Sequence, residues 1–316
     1  MTANEHEQAA RKASTSMPTR PLGRTGHQVR LFSLGGQGVI EQANSADTAI
    51  AVVRRALELG VNYIDTAPRY TAGARESERN IGKALRGDRH RVFLATKTHD
   101  RSRDGSLKLL DESLELLQTD HVDLWQLHNI QHAEEIERIF APDGALKALV
   151  QAREDGRTRF LGITGHFDPA PLLEGLRRFD FDCILMALNA ADPHCASFAM
   201  QLLPTAVAKQ MGIIAMKVPA RSRILSTWAP PLPAEQNPWA EARQPGTITM
   251  QEALHYVWTL PVSTAIVGCD HPAHVQENVE AAWNFSPLSA EQKQAIEART
   301  APIARQALFF RNWAGT

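Results

Sequence analysis

Short apolar runs recur along the chain at residues 29–36, 62–66, 92–98, 122–128, 159–164, 183–189, 212–218 and 264–268. Each is nearly continuously hydrophobic, the pattern of a parallel strand covered on both faces. Between the runs, apolar residues return at helical spacing. Over 46–59, Ala46, Ala49, Ile50, Val53 and Leu57 share one side, with Ser45 at the N-cap position and Gly60 where a helix can end left-handed. Residues 107–117 and 144–153 repeat the pattern, the latter closing at Gly156. Eight strand–helix alternations predict a closed (β/α)8 TIM barrel. An open doubly wound sheet would alternate too, but usually carries a GxGxxG turn after its first strand. Gly35-Gly36-Gln37-Gly38 lacks that spacing, so the barrel is the expected fold.

Two segments fall outside the repeat. Residues 19–31 read as an N-terminal hairpin turning at Arg24-Thr25-Gly26, placed to plug the barrel bottom. Residues 219–248 follow the seventh strand, contain six prolines and show no period. A loop that long is usually functional, and it reads as a substrate or cofactor lid. Residues 1–16 are polar and read as a disordered tail, leaving 17–316 as one barrel domain.

Composition narrows the function classes. With 43% hydrophobic and 22% charged residues, the 316-residue chain can bury a large core. Lys+Arg is 34 against Asp+Glu of 35, which gives no footprint for nucleic acid or an anionic membrane. No apolar stretch reaches the roughly 20 residues of a membrane span, and the N-terminus has no apolar signal core. Cys183, Cys195 and Cys269 lack CxxC spacing and read as reduced thiols, so the cytoplasm is the expected compartment. His128, His132, His166 and His194 form no HxH pair, and no metal site is expected. Oligomeric state and substrate identity are not readable.

In such a barrel, strand ends ring the mouth. Asp65 ends the second strand, Tyr70 follows it, Lys97 lies near the end of the third and His128 ends the fourth. A buried ammonium needs a partner, and Asp65 on the neighbouring strand is the natural one for Lys97. A nearby ammonium lowers a tyrosine pKa, so Tyr70 is expected to be activated as an acid aimed at a developing alkoxide. His128 would orient a substrate oxygen or relay a proton. This set suits carbonyl reduction, with hydride supplied by a cofactor.

These residues carry a resemblance. Asp65-Thr66-Ala67-Pro68-Arg69-Tyr70, the following Glu76–Leu85 segment, Ala95-Thr96-Lys97 and Leu127-His128-Asn129 resemble, in order, motifs of the aldo-keto reductase superfamily. The resemblance runs from Pro21 to about Ala282. It implies a nicotinamide cofactor and Tyr70 as general acid, acting on a small carbonyl or alcohol. The expected cofactor-binding residues are Gly36, Thr164, Asn189, Gly268, Cys269, His274, Glu277 and Asn278 along the family's pattern, with Lys217 and Arg223 added for their charge. The nicotinamide pocket departs from the family pattern. Thr164-Gly165-His166 stands where Ser-Asn is common, Met186 where glutamine is common, and Lys217 where many members stack an aromatic ring. NADP(H) is expected ahead of NAD(H) from the family tendency, although Asp270 would repel a 2′-phosphate that Arg221 and Arg223 could offset.

Two other readings use the same residues. Lys97 and Lys217 both end apolar strands and could serve a Schiff-base lyase or aldolase. The altered pocket also fits a non-catalytic subunit that senses nicotinamide state. Trp228, Trp239, Phe309, Phe310 and Trp313 are candidates for substrate-pocket walls.

Overall fold

A computed structural model describes residues 17–230 and 244–314. The eight apolar runs form eight parallel strands: β3 (Phe32–Gly38), β4 (Tyr63–Asp65), β5 (Phe93–Thr98), β6 (Val122–Leu127), β7 (Thr158–Gly165), β8 (Cys183–Ala187), β9 (Gly212–Met216) and β10 (Thr264–Cys269). They close into a barrel in chain order, β10 pairing with both β3 and β9. The expected (β/α)8 barrel is therefore the fold.

β1 (Thr19–Pro21) and β2 (Gln28–Arg30) make the N-terminal hairpin, joined through a 3-10 turn that ends at Gly26 with φ 76°. The first apolar run is thus split, its start belonging to β2 and the rest to β3. Leu22 and Val29 of the hairpin are fully buried in an interior cluster with Tyr63, Phe93, Leu124 and Ile214. The hairpin closes the barrel bottom, where the apolar ends of the strands would otherwise meet water.

Helices cover the outside. α1 (Ala46–Glu58) buries Ala49, Val52, Val53, Ala56 and Leu57, and Gly60 follows it at φ 82°. Ser45 occupies the N-cap position, but its hydroxyl donates to the Gln42 side chain instead of capping. α2 is Glu76–Ala84, α3 is Arg103–Leu117, α4 is Ala133–Phe140 and α5 is Ala145–Glu154. Ser102 caps α3 by accepting from the Gly105 N–H at 3.2 Å.

The C-terminal segment returns to the barrel top. Arg311 is buried, pairs with Asp192, donates to the Ala187 carbonyl ending β8 at 2.9 Å and lies 3.8 Å from the Phe198 ring centroid. The Asn312 N–H donates to the Phe167 carbonyl at 2.9 Å. The expected tail at 1–16 and residues 231–243 of the expected lid lie outside the described residues. No helix among the described residues is long and apolar enough to cross a membrane.

Candidate active site

Register brings the first group of side chains together. Asp65 at the end of β4 pairs with Ala95 of β5, and Lys97 of β5 pairs with Gln126 of β6. The buried Lys97 Nζ forms an ion pair with Asp65 Oδ2, donates to the Thr66 carbonyl at 2.7 Å and reaches Tyr70 Oη at 3.2 Å. Gln126 Nε2 donates to Asp65 Oδ1 at 3.0 Å. The three protons of the ammonium thus have three acceptors, which fixes its direction. Tyr70 opens a 3-10 turn after β4. His128 lies one residue past β6, its N–H bonded to the Thr98 carbonyl at 2.8 Å. Its ring meets Tyr70 edge-on at 6.1 Å, and its buried Nδ1 has no partner. The four residues expected to meet at the mouth do meet.

A second layer supports them. Arg75, held at φ 63°, bonds Glu78 at 2.7 Å, Ser113 at 2.6 Å and Glu112 at 2.5 Å. Buried Glu78 in turn accepts from Thr96, the neighbour of Lys97, at 2.8 Å. Gly36 is needed for the same packing. A Cβ there would come within 2.5 Å of Ser77 Oγ and 2.7 Å of the Asp65 carbonyl.

Burial pushes the Asp65 carboxyl up and the Lys97 ammonium down, each opposed by the other's charge. Tyr70 departs from expectation. Burial, the Asp65 carboxylate and Glu41 push its phenol well above the ordinary tyrosine value. The charge of Lys97 is already neutralised by Asp65, so little of its field is left to stabilise a tyrosinate. Tyr70 is therefore a firmly protonated donor. Burial, with Lys97 and other cations nearby, holds His128 well below the ordinary histidine value, so its imidazole is neutral.

A cavity of about 800 Å³ opens beside this group, lined also by residues at the ends of β3, β7, β9 and β10. Of the expected cofactor residues, Gly36, Thr164, Lys217 and Gly268 line it. Thr164 Oγ1 accepts from the Asn129 N–H at 2.8 Å and keeps its own proton to donate. The others do not line it. Asn189 is spent on the backbone of Ala191, Lys217 and Ala307, at 2.9, 3.3 and 3.4 Å. Buried Cys269, its thiol pushed up to about 12 by burial, takes the Asn278 amide at 3.5 Å. Arg223 lies 4.2 Å over the Phe309 ring, and His274 and Glu277 are exposed on the helix Pro272–Trp283.

Sequence reasoning did not single out several lining side chains: Gln37, Glu41, Arg69, Asn129, Gln131 and Ser222. Gln126 carried a readable signal, a polar residue inside an apolar run beside the histidine. Of the expected aromatic walls, Phe310 meets the cavity-lining His166 edge-on at 5.5 Å, while none of Trp228, Phe309, Phe310 and Trp313 lines the cavity. Trp239 lies outside the described residues. No group of three metal-ligating side chains occurs among the described residues.

The donor set fits a nicotinamide dinucleotide. A protonated phenol and a neutral imidazole stand at one part of the cavity, glycines 35, 36, 38 and 268 leave room along β3 and β10, and cations Lys217 and Arg221 lie on its rim.

Known proteins agree. Residues 31–300 match the model of the aldo/keto reductase family. L-galactose dehydrogenase from Arabidopsis thaliana is 30% identical, the match covering 92% of this chain and 96% of that protein. A 6-dehydroglucose reductase from Novosphingobium aromaticivorans is 32% identical over 46% of this chain. Among solved structures, the holo form of an aldo-keto reductase from Bacillus halodurans superposes with a TM-score of 0.71 at 25% identity, covering 89% of this chain and 96% of that one. The chain belongs to the aldo/keto reductase family of NAD(P)-dependent oxidoreductases.

Proposed function

We propose that this protein reduces an aldehyde or ketone to the alcohol with NAD(P)H, Tyr70 donating the proton. The observation that carries the reading is the arrangement at Lys97. One ammonium is tied to Asp65 and the Thr66 carbonyl and still lies 3.2 Å from the Tyr70 oxygen. When bound, the dinucleotide supplies the hydride. Tyr70 delivers its proton to the carbonyl oxygen as negative charge develops there, and the Lys97 N–H already directed at the Tyr70 oxygen donates a hydrogen bond to it. Asp65 and Gln126 position Lys97. Neutral His128, edge-on to Tyr70, hydrogen-bonds the substrate oxygen and aims it at the phenol. A phenol pushed above its ordinary range is protonated at neutrality, the form in which carbonyl reduction needs it.

Thr164, Lys217 and Gly268 would contact the dinucleotide, together with Arg221 and Ser222 from the loop after β9. NADP(H) is favoured over NAD(H) by the family tendency and the cation at Arg221, with Asp270 on the same lining acting against it. The substrate is a small hydroxylated carbonyl compound. Arg69, Asn129 and Gln131 line the cavity beside His128, Tyr70 is its sole Phe, Tyr or Trp side chain among the described residues, and the Arabidopsis relative is named for a sugar.

The test is a fluorescence titration with NADPH and NADH, then a panel of hydroxylated and apolar aldehydes with the tighter dinucleotide. Oxidation of that dinucleotide, fastest with hydroxylated aldehydes, is the expected result. Binding without oxidation by any carbonyl would leave only a sensing role.

A further inference from the structure

The two lysines of the cavity differ in one respect. Lys97 is neutralised by Asp65. Lys217 is not: among the described residues no carboxylate forms an ion pair with it, and its hydrogen-bond partner is the neutral Gln37 Oε1 at 3.4 Å. Its backbone sits at φ 62°, a conformation costly for a side-chain-bearing residue. The Ala220 N–H and the Asn189 amide hold its carbonyl at 2.9 and 3.3 Å. The fold thus holds a mostly buried ammonium on the cavity wall with no ion pair among the described residues; Arg221 and Lys97 work against its charge and Glu41 supports it.

Its field falls on the reacting end of the cavity. Lys97 adds to what lowers the Lys217 ammonium while Glu41 opposes it, and burial, with Lys217 next, drives His166, another lining residue, down to about 3. The remaining charged residues of the described lining are Arg69, Arg221, Glu41 and Asp270, whose formal charges sum to zero. Among the described residues, with Asp65 against Lys97, the lining carries one net positive charge, and Lys217 is its cation without an ion pair. A nicotinamide ring is cationic when oxidised and neutral when reduced.

We propose that Lys217 makes this cavity select the reduced dinucleotide over the oxidised one, so that the site fills with the hydride donor and releases the oxidised product. The inference rests on the nicotinamide reading given above. A like charge penalises the oxidised ring and leaves the reduced ring untouched, whereas the diphosphate and adenosine are common to both forms. At the separations possible within one cavity, the penalty corresponds to about tenfold in affinity.

The test is the ratio of dissociation constants for NADP+ and NADPH, read by fluorescence or calorimetry without turnover. In the wild type at pH 7 the oxidised form is expected to bind more weakly. Lys217→Met should shrink the ratio about tenfold, and Lys217→Arg should preserve it. Wild-type protein supplies a second arm should Lys217→Met fold poorly. Burial and Arg221 bring the Lys217 ammonium down to about 8, so the ratio should shrink between pH 7 and 9.5. His128 and His166 stay neutral and Tyr70 protonated over that range, and the pH dependence should vanish in Lys217→Met. A ratio unchanged by both substitution and pH overturns the proposal. Failure of the wild type to bind either dinucleotide overturns the nicotinamide reading itself.

Discussion

Two parts of the cavity wall handle charge in opposite ways. On the side built from β4, β5 and β6, the charged groups answer one another: Asp65 holds Lys97 and Gln126, and Lys97 holds Tyr70, while Gln126 Oε1 and His128 Nδ1 stay without partners. Behind them Arg75, Glu78 and Thr96 form a further closed chain. On the side built from β7 and β9, Lys217 has no ion pair among the described residues, its hydrogen bond going to the neutral Gln37. A closed network fixes a proton donor before any ligand arrives. Open valences are satisfied by what binds. The first side therefore sets the chemistry, and the second sets which ligand state the chemistry works on.

The strongest way to break the closed side is Lys97→Met. It removes support from Tyr70 and strands a buried carboxylate. Turnover is expected to fall by about 10³-fold, and unfolding in urea should reveal a loss of about 3–5 kcal/mol. Stability lost with turnover intact would reduce Lys97 to a structural residue. Arg311→Met sharpens the contrast from elsewhere. It breaks the buried pair with Asp192 outside the cavity and should cost about 3 kcal/mol, while turnover below the melting transition changes by less than about threefold.

A smaller effect concerns the two neutral imidazoles. Burial holds His128 well below its ordinary value and His166 near 3. In the unfolded chain each takes up a proton near pH 6.5 that the folded state refuses. Their contribution is therefore present above about 6.5 and is lost as pH falls from there toward 3, at about 1.4 kcal/mol per pH unit for each histidine. His166→Phe should flatten this slope in urea titrations taken at stepped pH. Smallest is Arg221→Gln. This exposed cation on the open side should weaken dinucleotide binding only about threefold, and less at high salt.

Much of this division was legible in the sequence, unevenly. The strands were visible because parallel strands buried on both faces are apolar throughout, and the hairpin because Gly26 marks its turn. Asp65, Tyr70, Lys97 and His128 were legible because ionisable residues at apolar strand ends have little structural reason to be there. The sign of the Tyr70 shift was not, since it depends on Asp65 cancelling the lysine charge, a matter of a few ångströms. The cofactor residues after β10 were least legible. Cys269 and Asn278 sit at suggestive spacings, yet their side chains turn to each other. Spacing places a residue near a site without saying which way its side chain points.

The central claim is that Tyr70 gives the proton. Its most direct test is Tyr70→Phe, measured for NADPH affinity by fluorescence and for carbonyl-dependent NADPH oxidation in a single turnover. The account predicts an affinity within about twofold of wild type and oxidation slowed by about 10²–10⁴-fold. Oxidation at the wild-type rate with binding intact would contradict it.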